Sequence, residues 1–75
     1  MFGKRLKTLR KDFKLTQAQL GKNLNLSQRT ISGYENGLRF PDEQILNSIA
    51  DYFDVSVDYL LGRTNIKNIY NQNRH

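Results

Sequence analysis

The sequence predicts a small all-α domain of five short helices, the second and third joined by a tight turn. Three observations predict it. Apolar residues recur at intervals of three and four along successive windows, Ser, Thr or Asp caps stand at the heads of four of those windows, and only about three residues separate the second from the third.

The first helix is expected over residues 2 to 13. Phe2, Leu6, Leu9 and Phe13 fall on one side of it, while Lys4, Lys7, Lys11 and Lys14 point away or lie at its margins. Arg10 sits at the edge of the apolar stripe, where a fixed partner is expected. The second helix, 17 to 24, opens with Thr16 and Gln19 in a T-x-x-Q capping box and with Leu15 and Leu20 as a hydrophobic staple. Gly21 costs about 1 kcal/mol relative to Ala inside a helix, which predicts that another stretch of backbone passes close to it. Asn25 suits the left-handed turn that ends this helix.

Ser27 caps the third helix, 28 to 36, and Leu26 with Ile31 repeats the staple. At 100° per residue, Ile31 and Tyr34 point inward, with Thr30 and Glu35 on the flanks. Gln28, Arg29, Ser32, Gly33 and Asn36 take the opposite side, a polar face of small or flexible groups, and Gly37 closes the helix. The loop Leu38-Arg39-Phe40-Pro41 leads to Asp42 as the next cap. The fourth helix, 43 to 53, carries Ile45, Leu46, Ile49, Ala50 and Phe53 as a core stripe. Asp54 turns the chain, Ser56 caps a short fifth helix over 57 to 61, with Val55 and Leu60 as its staple, and Gly62 ends it.

Residues 1 to 63 are thus read as the domain, and 64 to 75 as a polar tail or a short extra helix. The tail reading rests on its four asparagines; the helix reading rests on the spacing of Ile66, Ile69 and Tyr70, which would dock on the domain or on a second copy.

A chain of 75 residues buries only about 60% of the surface its unfolded form exposes, so a deep active site is not expected. Catalysis is not expected on other grounds too. There is no cysteine, the one histidine is His75, and no phosphate-binding glycine loop, metal-ligand cluster or cofactor motif is present. No apolar run approaches membrane-spanning length and the basic N-terminus lacks an apolar core, so a cytoplasmic protein is expected. The net charge of +5 is unevenly placed: residues 1 to 41 hold nine bases against two acids, residues 42 to 75 three bases against five acids. A basic half-molecule is the electrostatic footprint of nucleic-acid binding, though by itself it is equally a solvated lysine-rich surface.

The pattern T-Q-x-x-L-x-x-x-L-x-x-S-x-x-x-I-x-x-Y-E-N-G over Thr16 to Gly37 is followed by Pro41 and Leu46, and then by Val55-Ser56-Val57-Asp58-Tyr59-Leu60-Leu61-Gly62. Together these resemble the XRE family, the lambda repressor-like DNA-binding domains of phage repressors, Cro proteins and many bacterial regulators. The resemblance covers about residues 2 to 63. It implies a five-helix domain with a helix-turn-helix formed by helices two and three, and a sequence-specific transcriptional regulator, expected to be a repressor. Such a regulator binds double-stranded DNA as a homodimer on a two-fold operator, with helix three in the major groove.

Residue by residue, the resemblance assigns base reading to Gln28, Arg29, Ser32 and Gly33, DNA-backbone contact to Gln17, Asn36, Arg39 and Phe40, and a structural ion pair to Arg10 and Glu35. Gln17 is also expected to meet Gln28. Gly21 and Asn25 stand where relatives usually have Ala and Gly, and Gly33 stands where several have a longer reading side chain. Arg29 is the favoured specificity residue, because a guanidinium donates two hydrogen bonds to guanine O6 and N7; its alternatives are a phosphate contact and a solvated side chain. Gln28 suits adenine N6 and N7. A protein-interaction module of the same fold, an antitoxin or antirepressor, is the rival expectation.

Overall fold

The computed structural model describes residues 1–67. Its helices are α1 Phe2–Asp12, α2 Gln17–Leu24, α3 Gln28–Glu35, α4 Glu43–Phe53 and α5 Val57–Leu60, and the described residues contain no strand. The all-α, five-helix expectation holds, with α1, α3 and α5 each ending one residue early. α3 lies against α1 and α2, α4 touches α2 and α5, and α5 returns to α1. Leu6, Leu9, Leu20, Ile31, Ile49 and Leu60 meet in the centre, fully buried, and Phe2, Tyr34, Leu46, Ala50, Phe53 and Val55 complete the core.

The caps form as their spacing implies. Thr16 Oγ1 accepts from the Gln19 amide at 3.0 Å while Gln19 Oε1 accepts from the Thr16 amide at 2.9 Å, closing the box. Ser27, Asp42 and Ser56 accept from the amides of Thr30, Ile45 and Tyr59 at 3.1, 2.9 and 3.0 Å. Each cap satisfies a backbone donor that the first helical turn leaves without an intrahelical partner. Leu15 and Leu26, the outer halves of two staples, pack half-buried against the core that Leu20 and Ile31 enter.

The turn between α2 and α3 is built on two small-residue positions. Asn25 sits in the left-handed region at φ 62°, and the Leu26 amide donates to the Gly21 carbonyl at 2.7 Å. A Cβ on Gly21 would stand 2.6 Å from the Leu26 carbonyl oxygen, so the backbone expected near this glycine is the returning turn itself.

Two features depart from the periodic reading. Phe13, the C-cap of α1, is 49% exposed, and its ring rests edge-on against Phe53 at 4.9 Å. Lys14 then adopts φ 58°, which lets the Leu15 amide reach back to the Arg10 carbonyl at 3.0 Å. Residues 64–67 form no helix and are tied to the domain. Arg5 donates from Nη1 to the Thr64 carbonyl at 3.0 Å and from Nη2 to Asn65 Oδ1 at 2.8 Å, with its guanidinium 4.1 Å from the centre of the Tyr59 ring. Of the C-terminal apolar stripe, Ile66 is exposed, while Ile69 and Tyr70 lie outside the described residues.

Candidate nucleic-acid interface

α3 is short, and everything on its inner side is held. Ile31 is fully buried and Tyr34 nearly so. Burial pushes the Tyr34 phenol above its ordinary range, with the Asp42 carboxylate acting in the same direction and the Arg39 cation against it. Glu35, on the flank, receives Arg10 Nε at 2.6 Å and Arg10 Nη2 at 3.1 Å, and its side chain is 1% exposed. The third Arg10 nitrogen, Nη1, donates to the Leu15 carbonyl at 2.8 Å, and Gln17 Nε2 adds a bond to Glu35 Oε1 at 3.1 Å. One carboxylate thus joins α1, the start of α2 and the end of α3.

The outer side presents Gln28, Arg29 and Asn36 exposed, with Ser32 half-buried between them. Asn36 Nδ2 donates to Ser32 Oγ at 3.3 Å, which brings together a residue expected to read bases and one expected to touch the DNA backbone. Gln17, half-buried at the first position of α2, has its amide nitrogen turned inward to Glu35.

Gly33 departs from the expected outer face. It is buried, because the aliphatic stem of Arg39 lies across it: a Cβ there would stand 2.8 Å from Arg39 Cδ and 3.0 Å from Arg39 Cγ. Helical angle alone placed Gly33 outward, and a loop that folds back over the helix is invisible to that measure. Arg39 and Phe40 are both exposed, and the Phe40 ring also leans on Phe2 at 5.3 Å.

The charge reading changes in the same way. Arg10 is spent inside the domain and Arg5 on residues 64 and 65, which leaves Lys4, Lys7, Lys11, Lys14, Lys22, Arg29 and Arg39 exposed in the first half. Gly3 is a further residue that the pattern did not single out. Its missing side chain lets the first turn of α1 press on the end of α3, where a Cβ would stand 2.6 Å from the Tyr34 carbonyl oxygen and 2.7 Å from that of Glu35. A glycine in an otherwise periodic first turn, with no capping role, was the signal available.

Among the described residues no helix is long and apolar enough to cross a membrane, and no three His, Cys, Asp or Glu side chains gather as a metal site. Two capped helices around a three-residue turn, with the second offering a polar face, define a helix-turn-helix domain. The family model described as "Helix-turn-helix" matches residues 6–60, and the chain belongs to that family. It is 43% identical over 68 residues to the "Uncharacterized HTH-type transcriptional regulator YqaE" of Bacillus subtilis (strain 168), covering 89% of this chain and 59% of that protein. It is 38% identical over 64 residues to "HTH-type transcriptional regulator ImmR" of the same organism, covering 85% and 50%. Among solved structures it resembles the NMR structure of the DNA-binding domain of the P22 C2 repressor, with 34% identity, a TM-score of 0.75, and coverage of 81% of this chain and 80% of that one. The chain therefore spans only about half the length of the two bacterial regulators, and four-fifths of the solved domain.

Proposed function

We propose that this domain binds double-stranded DNA in a sequence-specific manner through α3 and regulates transcription in the cytoplasm, as a repressor. The observation that carries the reading is the division of α3 and its C-cap into a locked inner side and a polar outer side, on which Gln28, Arg29 and Asn36 are exposed and Ser32 is half-buried. A major groove admits one α-helix and presents a distinct set of donors, acceptors and methyl groups for each base pair, so short polar side chains on such a face discriminate sequence. Arg29 reads guanine and Gln28 adenine, while Asn36, Phe40 and the free amides at the starts of α2 and α4 face phosphates, and Gln17 offers the DNA backbone the one amide hydrogen that it does not give to Glu35. The exposed lysines add a salt-sensitive attraction.

One domain reads few base pairs, so two copies bind a two-fold operator whose half-sites lie about one DNA turn, roughly 34 Å, apart. The names carried by the bacterial relatives and by the P22 C2 repressor domain support regulation, and the latter supports DNA as the ligand. Selection of preferred sites from a random duplex pool tests the reading in one step. Enrichment of a motif with dyad symmetry, weakened by added salt, is the expected result. A pool that stays random, with the chain instead recovered bound to another protein, would favour an interaction module.

A further inference from the structure

We infer that Arg39, seated over Gly33, belongs to the sequence-reading face of α3 and takes the place of the side chain that position 33 lacks. The inference rests on the DNA-binding reading above and adds a specificity residue to it. Arg29 and Gly33 are four residues apart and so lie on one line along the helix. At Gly33 that line has no side chain of its own, and the space is filled from outside. The Arg39 Cδ and Cγ lie 2.8 and 3.0 Å from where a Gly33 Cβ would be, and Arg39 Cβ lies at 3.4 Å. The guanidinium beyond Cδ therefore starts from about the place where a side chain on residue 33 would extend.

This position is built rather than incidental. The amides of Leu38 and Arg39 both donate to the Gly33 carbonyl, at 2.8 and 3.1 Å, which folds the loop back onto the end of α3. On the far side of Arg39, the Phe40 ring meets Phe2 edge-on at 5.3 Å and Pro41 is buried. The loop is pinned on both sides of the one residue whose side chain crosses the helix. An arginine delivered there is always charged and carries a planar fork suited to guanine O6 and N7. Gly33 acts as a positioning residue, since a methyl group at 33 would push the Arg39 stem off the helix while leaving the fold intact: the atoms it meets belong to a flexible side chain.

Arg39→Ala, Gly33→Ala and the double variant, titrated against the duplex that the wild-type chain selects and against a scrambled duplex, test the assignment. Arg39→Ala is expected to weaken binding to the selected duplex about ten- to a hundredfold and to change the scrambled duplex far less. Gly33→Ala is expected to lose preference in the same direction without lowering Tm, and to add nothing once Arg39 is gone. Arg39→Lys, which keeps the charge and removes the fork, is expected to lose preference while retaining most of the salt dependence. Equal losses on both duplexes would make Arg39 a phosphate contact, and a neutral or strictly additive Gly33→Ala would remove the coupling; either overturns the inference while leaving the DNA reading in place. A wild-type chain that selects no duplex overturns both.

Discussion

Arg10 of α1 grips Glu35 of α3 with two guanidinium nitrogens, at 2.6 and 3.1 Å, around a carboxylate side chain that is 1% exposed. The pair is a strut between the N-terminal helix and the end of α3. Leu15 and Gln17 complete its hydrogen bonding, which is the condition under which a buried ion pair is tolerated.

Removing one partner leaves the other buried without compensation. Arg10→Ala is expected to destabilise the domain by about 3 to 5 kcal/mol, a large share of what so small a core supplies. Urea unfolding measures this, and a loss below about 1 kcal/mol would show the pair to be worth no more than an exposed one.

Gly21→Ala sets two effects against each other. Alanine raises helix propensity by about 1 kcal/mol, but its Cβ would stand 2.6 Å from the Leu26 carbonyl oxygen, which is backbone and cannot swing aside. The clash wins: a net loss of about 1 to 3 kcal/mol is expected, with the turn opening as α2 moves away from α3. Thermal unfolding of the variant beside wild type decides the sign.

Lys14→Gly is expected to stabilise. Lysine at φ 58° bears the left-handed penalty, and glycine relieves it at the expense of a more flexible unfolded chain, for a net gain of roughly 0.5 to 1 kcal/mol. A Tm that rises by a few degrees would agree; an unchanged or lower Tm would show that the lysine side chain compensates for its backbone.

Arg29→Ala is expected to cost about 1 to 3 kcal/mol on the preferred duplex and much less on random DNA. Its side chain is exposed and supports no part of the core, so the variant keeps wild-type stability. Titration against both duplexes is the measurement, and matching losses would reduce Arg29 to a backbone contact.

Much of the fold was legible because its signals are local. Thr16 with Gln19, Ser27, Asp42 and Ser56 announce helix starts within four residues of themselves, and each forms the bond its spacing implies. Gly21 was legible for a related reason, since the backbone it accommodates lies only five residues on. The Arg10–Glu35 pair came from resemblance, helped by the awkward place of Arg10 at the edge of its stripe. What stayed hidden is what the loops do after the helices are drawn. No periodicity shows that Arg39 covers Gly33, that Arg5 reaches residues 64 and 65, or that the chain turns left-handed at Lys14. The same limit applies to the interface: helical angle identified the exposed polar row of α3 but misplaced the one position that a distant residue fills.

Gly3 and Gly21 separate what holds α3 from what α3 displays. The first lets α1 press on the carbonyls at its end, the second lets the turn close at its start, and neither contact involves an outward-facing side chain. Gln28 and Arg29, both exposed, can therefore be exchanged without disturbing the mounting beneath them. If α3 reads DNA as proposed, a domain mounted in this way takes a new address by exchanging exposed residues alone, much as a lock is re-keyed without rebuilding the door.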